Sequence, residues 1–225
     1  MIRTRVRTLL RSAATTGAVG ALALGVPGPA SAQAVGGNWA GYVADSTTYT
    51  SVSATWVQPK VTCSGTTDSD VAFWVGLDGY SDSTVEQLGT EAACVSGTVE
   101  YLAWYELYPA YPVDFSQAVA AGDSITATVS ATAKDVFTFT IKNTTKGWSK
   151  TVQSTDTSAE RASAEIVLEA PASSGVLPIG SGTVTYTDAK VNGANLGAAD
   201  PTEFNGSDAT CGALVGGTKF TCTWQ

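Results

Sequence analysis

From Asn38 onward, apolar residues do not recur at a sustained helical spacing; they alternate with hydroxyl side chains in short runs. Residues 124–131 and 137–141 alternate in this way, the period-two signature of strands with one buried and one wet face. Val, Thr and Ser are abundant, and Gly, Asp, Asn, Ser and Pro break the runs. Turn signals stand at Asp78-Gly79, 143–147, 173–175 and Asn192-Gly193. Many short strands bury their apolar sides by packing two sheets face to face, which predicts an all-β fold, an antiparallel β-sandwich. No internal repeat is present. Residues 71–77 are nearly continuous in apolar side chains, so Trp74 suits a sandwich core and a groove equally well.

Two predicted strands carry chemistry. In residues 98–108, alternation puts Val99, Tyr101, Ala103, Tyr105 and Leu107 on one face and Glu100, Leu102, Trp104, Glu106 and Tyr108 on the other. The first face reads as core, whereas the second mixes rings with carboxylates, as a groove would. In residues 163–169, Ala164, Ile166 and Leu168 form the apolar face, leaving Glu165, Val167 and Glu169 opposite. Those two carboxylates point the same way, roughly 13 Å apart at about 3.3 Å per residue.

The N-terminus changes the compartment. Arg3, Arg5, Arg7 and Arg11 precede an apolar run over 13–24 and then Ala30-Ser31-Ala32, the three-part build of a secretory signal peptide, too short to span a bilayer. Cleavage after Ala32 would leave residues 33–225 as one domain, with eight basic and twenty acidic residues and a formal charge of −12. Such a surface repels phosphate backbones and anionic lipids, so neither nucleic acid nor a membrane is an expected partner. The four cysteines lie beyond residue 32, and an oxidising compartment favours two disulfides. Of the three possible pairings, Cys63–Cys94 with Cys211–Cys222 is the expected one. A zinc site is disfavoured by the absence of Cys-x-x-Cys spacing, and no metal or other cofactor is expected.

The chain contains no histidine. That excludes Ser-His-Asp and Cys-His nucleophile systems, so an acid or base working at neutral or acidic pH must be a carboxyl group. Asn143-Thr144-Thr145 and Asn205-Gly206-Ser207 match the glycosylation acceptor pattern.

Five ordered segments then become specific: Asn38-Trp39-Ala40-Gly41, Phe73-Trp74-Val75-Gly76-Leu77-Asp78-Gly79, Glu86-Gln87-Leu88-Gly89, Ala103-Trp104-Tyr105-Glu106-Leu107-Tyr108-Pro109 and Ala164-Glu165-Ile166-Val167-Leu168-Glu169. In this order they resemble the motifs of the glutamic peptidases, or eqolisins. The resemblance implies a jelly-roll-like sandwich of two curved sheets, with a substrate groove on a concave face. It implies a catalytic glutamate at Glu165 and a catalytic glutamine at Gln87. Groove residues carry over to Trp39, Trp74, Asp78, Trp104 and Glu106, and also to Glu91. The implied protein is a secreted, monomeric acid endopeptidase acting on polypeptides. One carboxyl group can activate water and then protonate the leaving amine, while an amide donor holds the carbonyl oxygen. Acid operation follows if Glu165 is ionised while Asp78 or Glu106 keeps a proton.

Departures from the family pattern are Leu102, where aspartate is frequent, and Leu107, where an aromatic residue is usual. Only five residues separate Ala32 from Asn38, so no long inhibitory prosegment of the fungal kind is expected. The segment after about Lys190 matches the pattern least. Two other functions compete: a carbohydrate-binding sandwich using exposed tryptophans, and a glycosidase whose paired carboxylates would stand about 5 to 10 Å apart. Neither needs Gln87.

Overall fold

The computed structural model describes residues 39–66, 68–169 and 179–225. The expected signal segment, Asn38 and the turn signal at 173–175 lie outside them. In chain order the strands are β1 (Trp39–Ala44), β2 (Ser51–Val57), β3 (Ser69–Leu77), β4 (Val85–Val95), β5 (Thr98–Tyr108), β6 (Val113–Asp114), β7 (Ser124–Ala133) and β8 (Val136–Asn143). They continue as β9 (Trp148–Thr155), β10 (Ala164–Glu169), β11 (Gly182–Val191), β12 (Ala194–Asn195), β13 (Thr202–Phe204), β14 (Ala209–Cys211) and β15 (Phe220–Trp224), with one 3-10 turn at Leu196–Ala199.

Two antiparallel sheets result. The seven-stranded sheet has the order β13-β1-β10-β3-β4-β5-β6, and the eight-stranded sheet β14-β15-β11-β2-β7-β8-β9 with β12 added beside β11. The predicted β-sandwich is therefore the fold. Between the sheets lies the main core, where Phe73, Val75 and Leu88 of one sheet face Trp56, Ile125, Phe139 and Tyr186 of the other. Two polar bonds cross it: Trp56 Nε1 donates to Thr90 Oγ1 at 3.0 Å, and the Tyr186 hydroxyl donates to the Val167 carbonyl.

The two sheets differ as their sequences differ. Strands β2, β7 and β8 alternate buried and partly exposed residues, as the hydroxyl alternation predicts, because only their inner faces are covered. In contrast β3, β4 and β10 are buried at nearly every position. Their outer side chains form a second apolar cluster of Ala72, Trp74, Val85, Trp104 and Val167, with Trp39, Leu102, Tyr108 and Phe204 packed against it. The central strands of this sheet therefore carry packed side chains on both faces, one set in the main core and one in this second cluster.

Local signals account for the ends. Asn192 and Gly193, at φ 50° and 76°, join β11 to β12 in the two-residue hairpin that this dipeptide favours. Asp78 and Gly79 turn the chain at the end of β3 with φ 66° and 101°. Disulfides join Cys63 to Cys94 and Cys211 to Cys222. The segment after Lys190 supplies β13 to the edge of one sheet and β14 and β15 to the edge of the other. Of the two glycosylation patterns, Asn143 is fully buried and donates to Asp123, so it is closed to a glycan, whereas Asn205 is exposed.

Candidate active site

The outer face of the seven-stranded sheet is organised in cross-strand rows. Antiparallel register sets Glu165 of β10 opposite Gly76 of β3, Gly76 opposite Gln87 of β4, and Gln87 opposite Glu106 of β5. The next row runs Gly41, Val167, Trp74, Gly89, Trp104, and the one beyond it Trp39, Glu169, Ala72, Glu91, Leu102. Side chains of one row share a face, so the two residues expected to be catalytic stand on either side of a glycine. With strands about 4.8 Å apart, their Cα atoms are roughly 10 Å apart and nothing but a hydrogen projects between them. A Cβ at Gly76 would stand 2.9 Å from Trp74 Cζ3 and 3.4 Å from Gln87 Cβ. The missing side chain is what lets the Trp74 ring and Val85 pack over the row between the carboxyl and the amide.

Gln87 is held from its far side. Its Nε2 donates to Glu106 Oε2 at 2.8 Å, which leaves the second N–H of that nitrogen for another acceptor. Glu165 is fully buried, and neither of its oxygens accepts a hydrogen bond of good geometry. Gln87 Oε1 and Trp104 Nε1 are likewise buried without a partner. Buried polar atoms are ordinarily paired, so four such atoms on one face describe a place built for an incoming polar group.

Burial sets the electrostatics. Desolvation pushes the Glu165 carboxyl well above the ordinary range, the charges of Asp78, Asp82 and Glu86 add to this, and the Ser163 hydroxyl acts in the opposite direction. Glu106 is pushed up to about 7, by burial first and then by Glu169, with the Gln87 bond opposing. The expectation of a protonated neighbour thus finds Glu106, and Glu165 itself also holds its proton more tightly than an exposed glutamate.

The tryptophans line the same face. Trp74 is fully buried, meets Trp39 edge to face with centroids 4.8 Å apart at 79°, and donates from Nε1 to Glu169 Oε2 at 3.1 Å. Trp74 is buried in the outer-face cluster and not in the core between the sheets. Glu91 shares the face but lies four residues along β4 from Gln87, roughly 13 Å away, and so stands apart from the pair. Asp78 lies at the end of β3, fully buried. Its oxygens accept the Arg161 N–H at 2.7 Å and the Ala162 N–H at 2.6 Å, and its own N–H reaches the Ser163 carbonyl at 3.1 Å. It clamps the chain just before Glu165.

Sequence reading missed Glu86. Strand parity was the available signal: Glu86 shares its face with Leu88 and Ala92, so the carboxyl points into the core beside Asp78 and Asp82. Among the described residues, no three His, Cys, Asp or Glu side chains are placed to ligate a metal ion.

Residues 37–224 match the model of the Peptidase A4 family. The chain belongs to that family. It is 31% identical over 192 residues to Aspergillopepsin-2 of Aspergillus niger, across 73% of this chain and 68% of the relative. It is 36% identical over 112 residues to Scytalidopepsin B of Scytalidium lignicola, across 49% and 41% of the two chains. Among solved structures, scytalido-glutamic peptidase with a transition state analog inhibitor superposes with a TM-score of 0.70 at 27% identity, covering 84% of this chain and 98% of that one. Aspergilloglutamic peptidase from Aspergillus niger gives 0.59 at 28% identity, over 70% and 99%. This A4 peptidase is accordingly a glutamic-type endopeptidase, and the lectin and glycosidase alternatives fall away.

Proposed function

We propose that the protein is a secreted acid endopeptidase in which Glu165 activates the attacking water and Gln87 stabilises the oxyanion. The carrying observation is the row Glu165–Gly76–Gln87–Glu106, in which a carboxyl and an amide donor share one face on either side of a single glycine. Water held between them loses a proton to Glu165 as its oxygen attacks the scissile carbonyl. Negative charge then grows on the carbonyl oxygen, and the Gln87 N–H left over from Glu106 meets it. Glu165 passes its proton to the departing amine, closing the cycle with no covalent intermediate.

Protonation bounds the working range. Glu165 acts as base only when ionised, and donors from water and substrate favour that form on a group that has none of good geometry from the protein. Glu106 keeps its proton up to about 7; once ionised, it sets a second negative charge beside the developing oxyanion. The partly exposed Trp39 ring offers an apolar wall to an extended polypeptide, and the buried Trp74 and Trp104 rings back the row. Secretion is supported by the three-part N-terminal pattern and the two disulfides.

The test is digestion of an acid-denatured protein at acidic pH in the presence of an aspartic-peptidase inhibitor, comparing wild type with Glu165→Gln and Gln87→Ala. Loss of cleavage in the first and a large fall in kcat in the second are expected. Equal cleavage by Glu165→Gln would overturn the assignment.

A further inference from the structure

Glu86 is a fully buried carboxyl group beside the site that the reaction does not use. It lies on the core face of β4 between Leu77 of β3 and Leu107 of β5, fully buried, and neither of its oxygens has a hydrogen-bond donor. Asp78, itself a carboxyl group, follows Leu77, the residue paired with Glu86 across the strands, and it acts on Glu86 and on Asp82 alike. Two carboxyls meet only when one of them carries the proton that joins them. Asp78 is committed as acceptor, since both its oxygens take backbone N–H groups from residues 161 and 162. The proton therefore sits on Glu86.

The contact matters because of what Asp78 holds. Asp78 and Arg161 are non-glycine residues in the left-handed region, at φ 66° and 57°, and each is kept there by the other segment. Asp78 takes the two N–H groups and donates to Ser163, while the Arg161 carbonyl accepts from Tyr49. Two residues after Ser163 comes Glu165. We propose that Glu86 is a positioning residue for Glu165: its protonated carboxyl donates to Asp78, completing the clamp on residues 161–163 that aims Glu165 across Gly76. The role rests on the peptidase reading of Glu165 and extends it to a residue outside the row.

The charges acting on Glu86 from the packed elements are Asp78 and Asp82 in the turn between β3 and β4, Asp156 after β9, and Glu165 of β10. All are acidic, so every one favours the protonated form. Burial first, and then Asp78, push Glu86 up to about 10. Asp82, whose Oδ1 accepts from Gly79 and Thr84, is pushed up to about 6, by burial and then by Asp78.

The experiment compares wild type, Glu86→Gln, Glu86→Leu and Glu165→Gln. Gln keeps a donor facing Asp78; Leu keeps the bulk and removes the donor. Glu86→Leu is expected to lower kcat about tenfold with KM little changed, the effect of one lost hydrogen bond to a charged group, and Glu86→Gln to restore it. Hydrogen exchange at the Arg161 and Ala162 amides is expected to speed up in Glu86→Leu and stay slow in Glu86→Gln, whatever the chain hydrolyses. The infrared band of a protonated carboxyl at neutral pH should weaken in Glu86→Gln relative to wild type. Wild-type kcat and amide protection in Glu86→Leu would overturn the proposal, as would equal impairment in both Glu86 variants. If Glu86→Leu does not fold, the infrared difference and amide protection of Glu86→Gln still decide it. Undiminished cleavage by Glu165→Gln would instead sink the peptidase assignment and leave the exchange result standing.

Discussion

Raising the pH from 4.5 to 7 should destabilise this protein strongly, and the structure sets the size of the effect. A carboxyl whose folded-state pKa is raised keeps a proton that the unfolded chain releases. The folded state then binds more protons, so stability is greatest below the ordinary value of 4.5 and falls until the pH passes the folded value. Glu106, raised to about 7, titrates across this whole window, and Glu86, raised to about 10, does so across the same window and beyond. Each loses about 1.4 kcal/mol per pH unit, roughly 3 kcal/mol over the interval. Asp82 and Glu165 act in the same direction. Against a typical 5–15 kcal/mol of total stability, the two glutamates alone account for half or more of a small domain's margin. Urea unfolding followed by tryptophan fluorescence at half-unit pH steps measures this directly, with the midpoint expected to fall steadily toward neutrality. Glu106→Gln should reduce the slope by about 1.4 kcal/mol per pH unit. A midpoint that stays level or rises between pH 4.5 and 7 would refute the reasoning, because it would mean these carboxyls ionise in place without penalty.

Other consequences follow from the same geometry. Gln87→Ala should lower kcat by about 100- to 1000-fold with KM nearly unchanged, in steady-state kinetics on a peptide, since the amide acts on the oxyanion and not on the bound ground state. Gly76→Ala should depress kcat and also cost about 1–3 kcal/mol in urea unfolding, because the added methyl would stand 2.9 Å from Trp74 Cζ3 and 3.2 Å from Val85 Cγ1, side chains that are themselves buried and held. The falling limb of kcat/KM should lie near pH 7 in wild type and disappear in Glu106→Gln, provided that variant still holds the amide. Replacing Cys211 and Cys222 by Ala should cost about 3 kcal/mol, read from urea midpoints, as the chain-entropy estimate for a loop of 11 residues' separation gives.

Strand parity made a good part of the site legible. Trp104 and Glu106 share the outer face of β5, and Glu165, Val167 and Glu169 that of β10, as alternation required. Gln87 was different: nothing in its own surroundings set it apart from any polar strand residue, and only its motif singled it out. Glu86 was passed over although parity put it on the core side, because a carboxyl between Leu77 and Leu107 makes sense only once Asp78 is beside it.

The sequence by itself determined that the chain is all-β, that histidine chemistry is absent, and which side chains of one strand look the same way. Those are local properties of a pleated chain and need no knowledge of its neighbours. Only the tertiary structure decided which strands lie side by side. Inserting β10 between β1 and β3 brings Glu165 opposite Gly76, and through it opposite Gln87, residues far apart along the chain. Register across strands comes from packing summed over two whole sheets, and the same packing takes Glu86 and Glu165 out of water and so sets which carboxyls keep their protons.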